Sequence, residues 1–450
     1  MNIFRPKVRG KGSIPALFFL AALLGLAALA CPASLAREKP EGFWRQTTSQ
    51  WGGHLKLRGS ISQYEDTTVF APVGTGVYTD GSLSLRLKNQ LFFPGNASFK
   101  THYEAVLSAG DNRRKKRELE LSGVQFPQSA AFLGLGQAMN DKTRLFDLTW
   151  TAFDGKSRTA YQRLDRLVLA LNPTWGRLKI GRQAVTWGNG LIFNPMDLFN
   201  PFAPTDIERD YKVGDDMAWA ELPLGGAVSL EGLFVPRRKP ETGELASSRS
   251  SAALKIHTAH ETTEFDFLFA RHYGEWVAGL GSQGYLGDTA WRMDLVWTNA
   301  GQGSNYLSLV ANMDYSWIWW GKNFYGLVEF YFNGLGACNY NEVFTDFEIQ
   351  DKLARGGLFA LGRNYLSASL QVELHPLFSC WVTMINNLAD PSGTVQPRGV
   401  LDISQNTRLT VGANLVYGAP GTEYGGLTMP GTIYHLRPAQ SVYLWWTWYF

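Results

Sequence analysis

The sequence predicts an all-β protein: a transmembrane antiparallel β-barrel of about 18 strands, with 16 as the fallback count, preceded by a signal peptide. Short segments alternate apolar and polar residues along the whole chain, and short turns alternate with long connections. After the N-terminus no segment has the roughly 20 apolar residues of a membrane helix. The chain is also rich in aromatic residues, with 16 Trp, while charged residues make up only 18%.

Residues 1–36 predict a secretory signal peptide. Four basic residues precede the apolar run "PALFFLAALLGLAALA", and "SLA" before Arg37 is a small-residue cleavage site. A membrane anchor and lipoprotein processing at Cys31 are the alternatives. Because this segment holds four of the 42 basic residues and none of the 39 acidic ones, the rest of the chain has a net charge of −1. Nucleic acid is therefore not indicated as a partner.

The mature chain shows no linker and no shift in composition. We expect residues 37–52 to form a short periplasmic segment and residues 53–450 to form a single barrel. The alternation is clear in 366–375, where one parity is apolar and the other polar: Leu366, Ala368, Leu370, Val372 and Leu374 against Ser367, Ser369, Gln371, Glu373 and His375. A soluble sandwich would bury the apolar face, but the rhythm of short turns and long loops favours a barrel in lipid. Residues 144–153 break the parity, and we interpret them as a strand extension above the membrane.

The last ten residues, "SVYLWWTWYF", form an alternating strand with one wholly apolar face. Together with the signal peptide and the repeated strands, this strand resembles those of Gram-negative outer-membrane β-barrel proteins. The resemblance implies an outer-membrane location next to lipopolysaccharide. It also implies that the barrel assembly machinery recognises the apolar positions Val442, Leu444, Trp446, Trp448 and Phe450.

A second, local likeness lies in the middle of the chain. The stretch "LKIGRQAVTWGNG", followed by "NPMDLFNP", is similar to the "GRQ…WG…NP.D" signature of a poorly characterised porin-like family.

A barrel of 18 strands is wide enough for an aqueous lumen. Strand parity places a row of basic residues on the inner face of the first five strands: Lys56, Arg58, Arg86, Lys88, Lys100, Arg166, Arg177 and Lys179. Glu104 is the one acid that we expect among them. The later strands lean acidic: Glu231, Asp266, Asp294, Asp314, Glu329 and Glu373. Opposed walls of unlike charge favour polar solutes, whereas the alternative is that these charges only solvate and pair with one another.

The connection 188–216 is the most distinctive loop. It combines the apolar residues Ile192, Phe193, Leu198, Phe199 and Phe202 with the acids Asp197, Asp206, Glu208, Asp210, Asp215 and Asp216. We expect it to fold into the barrel, to face the basic wall with its acids and to narrow the pore. The alternatives are an extracellular plug and a contact surface for a partner.

Two further features have open interpretations. The run "RRKKRELE", Arg113 to Glu120, could bind lipopolysaccharide phosphates or form a solvated loop. Cys338 and Cys380 are expected at opposite ends of their strands, too far apart for a disulfide, and hence as free thiols.

The predicted function is a porin or channel for passive diffusion of small hydrophilic solutes, with a preference for anions. A scaffold barrel that houses a periplasmic or surface partner is the alternative, and an outer-membrane enzyme acting on lipid or peptide is the second. We predict no catalytic residues, because no histidine accompanies a serine motif, and no metal site or cofactor, because no metal-ligand spacing occurs. A homo-oligomer is left open.

Overall fold

The structure is a computed structural model. It describes residues 47–121, 140–199, 201, 203–204, 211–301 and 305–450. The predicted signal peptide lies outside the described residues. The main sheet has 19 strands, of which one is an extension at the rim, so that 18 antiparallel strands form a closed wall. The predicted fold class and strand count are thus confirmed. None of the helices within the described ranges has the length and apolar character needed to cross a membrane.

The strands follow one another around the barrel in chain order. They are β1 Thr48–Tyr64, β2 Gly76–Phe93, β3 Ala97–Gly110, β4 Thr149–Asp154, β5 Arg158–Leu171, β6 Arg177–Gln183, β7 Asp215–Gly225, β8 Val228–Val235, β9 Ser251–His260, β10 Thr263–His272, β11 Glu275–Leu286, β12 Thr289–Asn299, β13 Tyr306–Trp319, β14 Lys322–Asn333, β15 Asn364–His375, β16 Phe378–Asn387, β17 Ser392–Ser404, β18 Thr407–Tyr417, β19 Leu427–Thr428, β20 His435–Leu436 and β21 Gln440–Tyr449. Within the described residues, the long loops contain two α-helices, Asp111–Leu121 and Phe347–Ala354, and two short 3₁₀ helices, Ala71–Val73 and Glu342–Phe344.

The barrel closes between its last and first strands. Strand β21 pairs with β18 on one side and with β1 on the other, so neither strand has a free edge. Gly53 and Phe450 exchange two backbone hydrogen bonds, of 2.9 and 3.2 Å. Strand β1 begins at Thr48, within the segment that the sequence assigns to the periplasm.

The two faces of the wall differ as strand parity predicts. Leu57 is 53% exposed on the outer face, whereas its neighbour Lys56 is 2% exposed on the inner face. Leu370, on the outer face of β15, is likewise exposed. On β21 the apolar positions Val442, Leu444 and Trp448 are exposed to the outside. The structure therefore has apolar side chains on its outer face and polar ones on its inner face, as a barrel in lipid requires.

The set of strands that form the wall changes at β6, because this strand has only seven residues. Above β6 the extension β4 pairs with β5 and continues the sheet. Residues 149–153 thus behave as the strand extension that the broken parity of 144–153 indicates. Because β4 replaces β6 at the rim, the chain that leaves β6 at Gln183 is free to turn inward.

A buried ionic network joins the short strands to this extension. Arg182 of β6 donates to Asp216 of β7 at 2.9 Å and to Asp141, before β4, at 2.9 Å. Beside it, Arg237 donates to Asp215 at 2.7 Å. All five side chains are buried. Removing one member of such a network leaves its partners charged and unpaired, which is costly.

We predict that Arg182→Ala lowers the free energy of unfolding of the barrel by about 3–5 kcal/mol. Urea-induced unfolding in detergent micelles, followed by tryptophan fluorescence, measures the change. The matched control is Arg408→Ala, whose side chain pairs with Asp402 on the exposed surface and should cost about 1 kcal/mol or less. Equal effects of the two substitutions would contradict a stabilising role for the buried network.

Candidate functional site

The eight predicted basic residues lie on β1, β2, β3, β5 and β6, along one side of the barrel. Lys56 and Arg86 are buried, and Arg58, Lys88, Lys100, Arg166 and Lys179 are partly buried. Arg177 is exposed and forms an ion pair with Glu221. Their common placement makes this side of the lumen basic, although several of the charges have partners.

Arg86 belongs to a mixed cluster that the sequence does not reveal. Its guanidinium pairs with Asp165, which is buried, and lies 3.8 Å from Glu104. The register between β3 and β5 shifts at His102 and Tyr103. This bulge lets Asp165 reach the same cluster as its chain neighbour Arg166, which simple alternation forbids.

The rest of the cluster balances these acids. Arg163 donates to Glu104 at 2.6 Å, and Arg166 donates to Asp165 at 2.7 Å. Glu104 is therefore not the only acid on this wall, contrary to the expectation from sequence. Three arginines against two carboxylates leave the cluster cationic.

Aromatic rings cover several of the lysines. The ammonium group of Lys56 lies 4.2 Å from the centroid of Trp445, and that of Lys179 lies 4.4 Å from the centroid of Trp219. Such contacts hold a cation without cancelling its charge. Lys100 has no carboxylate within ion-pair distance among the residues that the structure describes.

Residues 184–214, which we call the crossing segment, connect β6 to β7. Its first turn depends on glycine: Gly188 has φ +87°, and a Cβ on Gly190 would collide with the carbonyl oxygen of Phe193. Only glycine tolerates both the conformation and the close approach.

Two carboxylates of the acidic wall bind the backbone of the crossing segment. Asp294 of β12 accepts hydrogen bonds from the backbone and the side chain of Asn189, at 2.6 and 2.7 Å. Glu329 of β14 accepts from the backbone N–H groups of Leu191 and Phe193, at 2.8 and 2.6 Å. Because both carboxylates lie on the later strands, the segment contacts the side of the barrel away from β6.

Apolar contacts reinforce this attachment. The ring of Phe193 stacks on Tyr331, with centroids 4.5 Å apart, and also contacts Tyr365 at 5.2 Å. Met196 is fully buried, and Phe199 packs edge-on against Trp187 at 5.4 Å. These rings explain why a loop of a barrel carries so many large apolar residues.

The same segment ends against the basic wall. The ring of Tyr211 lies 4.4 Å from the guanidinium of Arg86 and 4.6 Å from the ammonium of Lys88, which also donates to its hydroxyl at 2.8 Å. Its other neighbour is His54, stacked at 5.8 Å. The chain thus contacts both walls of the lumen.

Of the acids that the sequence predicts to face the basic wall, Asp197, Asp215 and Asp216 lie in the described part of the chain, and each pairs with another residue there. Asp197 pairs with Lys212 inside the crossing segment. The backbone carbonyl of Lys212 in turn accepts a hydrogen bond from the guanidinium of Arg166 at 2.7 Å. Asp215 and Asp216 belong to β7 and pair with the buried arginines described above. The remaining predicted positions, Phe202, Asp206, Glu208 and Asp210, lie outside the described residues.

The other acids of the later strands are mostly engaged within the wall. Glu231 accepts from the indole N–H groups of Trp187 and Trp219, at 2.9 and 3.0 Å, and pairs with Lys255 at 2.8 Å. The remaining contacts link Asp266 to His257, Asp314 to Arg292 and Glu373 to Asn323. Mutual pairing is therefore extensive on this side.

The long loops on the rim pack together at the mouth of the barrel. Loops 65–75, 111–121, 334–363 and 418–439 share one apolar core, built from Val69, Phe70, Leu119, Val343, Ile349, Leu353, Leu427 and Leu436, among others. From the same assembly, Lys352 and Arg355 both pair with Glu275 of β11, at 2.6 Å. We call this assembly of four loops the cap.

A buried carboxyl joins two loops of the cap. Glu423 is fully buried and accepts hydrogen bonds from the backbone of Leu361 at 2.8 Å, from Tyr365 at 2.6 Å and from Asn387 at 2.7 Å. No cation is among these partners. Burial raises the pKa of Glu423 to about 7.

The basic run Arg113 to Glu120 forms part of the helix Asp111–Leu121. Ion pairs engage most of its cations: Arg113 and Arg117 with Asp154, Arg114 with Asp111, and Lys115 with Glu118. The structure therefore favours a structural role for this run over lipid binding. Cys338 and Cys380, in a cap loop and in β16, are not bonded to each other.

We predict that the cap is weakened as the pH rises through about 7. A raised pKa means that folding favours the protonated carboxyl, so its contribution is complete below pH about 4.5 and is lost at higher pH. Hydrogen-exchange protection of residues 418–439, corrected for intrinsic rates, measures the effect. Glu423→Gln should remove the pH dependence, whereas the exposed control Glu342→Gln should retain it; an unchanged profile in Glu423→Gln would refute the assignment.

Comparison with solved structures supports the architecture. OccK9 (OpdG) of Pseudomonas aeruginosa aligns over 91% of this chain and 99% of its own, with a TM-score of 0.53 and 11% identity. OccAB1 of Acinetobacter baumannii aligns over 92% and 99%, with a TM-score of 0.50 and 7% identity. A BenF-like porin from Pseudomonas fluorescens aligns over 91% and 100%, with a TM-score of 0.49 and 10% identity.

The chain matches no protein-family profile and no curated protein sequence. At such low identities the first two likenesses establish the fold alone. The class that the fold defines is an 18-stranded, porin-like antiparallel β-barrel.

Proposed function

We propose that this protein is an outer-membrane porin that lets small hydrophilic solutes diffuse passively, with a preference for anions. The observation that carries the proposal is the crossing segment: within a closed barrel, it contacts the acidic wall through Asp294 and Glu329 and the basic wall through Arg86 and Lys88. A loop held in this way divides the lumen, and in the proposal solutes pass through the narrowed space beside it.

The anion preference rests on the charges that line this path. Lys88 and Lys100 have no carboxylate partner in the described part of the chain, and the Arg86 cluster carries more cations than acids. Most acids of the opposite wall are occupied by the crossing segment or by basic neighbours. The charge that faces a solute is therefore mainly positive, which favours anions.

The second candidate function, a scaffold barrel with a plugged lumen, has one observation in its favour. The cap joins four loops through one apolar core, so the mouth is partly covered. Conductance separates the two, because a plugged barrel passes almost no current.

An enzymatic role has less support. Ser251 and His272 are in contact at 3.0 Å, as in a nucleophile–base pair. However, both side chains are buried, and Arg237 donates to the same serine hydroxyl at 2.8 Å. That arrangement is structural, because a nucleophile must be accessible to its substrate.

The local motif has a structural meaning that supports membership of the porin-like family it resembles. Its glycines allow the turn into the lumen, Arg182 holds β6 to β7, and Asn189 binds Asp294. We further propose that the chain belongs to this porin-like family, that it resides in the outer membrane and that β21 carries the signal for the barrel assembly machinery. The proposal holds for a monomer and for a homo-oligomer.

The double substitution Lys88→Gln/Lys100→Gln should lower the ratio of anion to cation permeability by roughly twofold to tenfold, because it removes two lumenal charges. Reversal potentials in planar bilayers with unequal KCl on the two sides measure the ratio. The matched control is Arg158→Gln, which removes a cation from the outer face of β5 and should leave the ratio unchanged. Unaltered selectivity in the double variant would exclude these lysines as part of the conduction path.

Replacing residues 186–212 by a Gly-Ser-Gly-Ser turn should raise single-channel conductance, because it removes the obstruction. The design is feasible since Gln183 and Asp215 are paired directly across β6 and β7. Glu329→Gln is the milder companion variant: it weakens the attachment of the segment without shortening the chain, so frequent current fluctuations are expected. If both variants fold and conduct as the wild type does, the crossing segment does not restrict the lumen.

A further inference from the structure

The outer face of the wall has a groove across strands β6 to β10. Its floor consists of small residues at outward positions, Ala218, Ala220, Gly232 and Ala252. Ala220 is paired directly with Gly232 on the neighbouring strand, so the smallest side chains are adjacent. The space measures about 520 Å³, within the range of small-ligand sites, roughly 300–1,000 Å³.

Large apolar side chains border this floor. Leu178 lies at one end, on β6, and Leu254 and Phe269 lie towards the other, on β9 and β10. The comparable outward positions of β12 are filled by bulky residues, Trp291, Met293, Leu295 and Trp297. The depression therefore does not extend to β12. Within hydrocarbon an empty groove forfeits dispersion contacts along its whole length, so a complementary apolar chain should fill it.

A cation stands at the rim end of the groove. Arg271 lies on the outer face of β10, two residues before Tyr273 and the turn to β11, on the side of the long loops. Its guanidinium lies 5.7 Å from the ring of Trp276, which stacks on Phe269 at 5.3 Å. Within the described ranges no carboxylate is close enough to form an ion pair with it.

We propose that this groove binds lipid A, the phosphorylated and multiply acylated lipid of the outer leaflet. One acyl chain would lie over Ala220 and Gly232, and a phosphate would meet Arg271. The combination is complementary in charge as well as in shape, because Arg forms bidentate, charge-assisted hydrogen bonds with phosphate. The proposal rests on the outer-membrane location in the proposed function.

Depth also fits this ligand. A charged side chain on the lipid face is costly at the midplane of the membrane but nearly free at the interface. Arg271 stands near the rim, at the level expected for phosphates, and the groove extends from there towards the start of β6. The basic run on the helix Asp111–Leu121 is the weaker candidate for phosphate binding, because most of its cations form ion pairs with carboxylates.

A second copy of the chain fits the groove less well. In a two-fold contact both partners present the same surface. Two concave faces would leave their combined space empty and would bring the Arg271 side chains of both copies to one interface. A lipid fills the space and supplies the opposite charge.

Native mass spectrometry of the full-length protein in detergent tests the proposal, with lipid A and lipid A stripped of its phosphates as ligands. We expect one tightly bound lipid A. Arg271→Gln and Ala220→Phe should each weaken its binding by roughly tenfold, through loss of the phosphate contact and filling of the groove respectively. The matched controls are Arg158→Gln, an outward cation on β5, and Ala105→Phe, an outward alanine on β3; both should bind as the wild type does.

Three results would overturn the proposal. They are equal binding of the dephosphorylated lipid, equal weakening in the control variants, and an oligomer that Ala220→Phe dissociates, which would assign the groove to a second copy. Conductance of the same preparations is recorded in parallel. Lipid binding without conductance would contradict the porin function alone. Conductance without specific lipid binding would contradict the lipid A site alone.

Discussion

The structure depends on one constraint: in lipid, every backbone group of the wall must find its hydrogen-bond partner within the protein. Closure of the sheet meets it, because β21 pairs with β18 and with β1. A closed wall has an inside and an outside, and successive residues of a strand face them in turn. The exposure of Leu57 and the burial of Lys56 are the direct result.

The same constraint shapes the crossing segment. A chain inside the lumen has no neighbouring strand, so its N–H groups need other acceptors. Asp294 and Glu329 provide these acceptors, so their carboxylates are occupied by hydrogen bonds from the backbone of the crossing segment. The acidic wall is in this sense an attachment surface. On the basic wall, Lys88 and Lys100 have no carboxylate partner among the described residues, so the two sides of the barrel differ in how their charges are used.

Inner and outer surfaces use charge differently. Inside, arginines occur in clusters with carboxylates, as in the group around Arg86 and Asp165, and water can solvate what is left. Outside, Arg271 has no carboxylate within ion-pair distance among the described residues, and its guanidinium lies 5.7 Å from the ring of Trp276, which stacks on Phe269. The isolated cation beside the apolar groove is the basis of the proposed lipid site, whereas the clustered arginines of the lumen already have carboxylate partners.

The sequence by itself determined the architecture. Period-two alternation is a local property, readable from neighbours such as Leu370 and Gln371, and it was enough for the strand count, the outward face and the extension before β5. It also marked 188–216 as the unusual connection. The tertiary structure alone decided which charges meet: the bulge at His102 and Tyr103 that brings Asp165 to Arg86, the binding of Asn189 by Asp294, and the groove over Ala220 and Gly232. These contacts join residues that are far apart in the chain, and their distances depend on the register between strands and on the path of a loop through the lumen, which alternation along one strand does not encode.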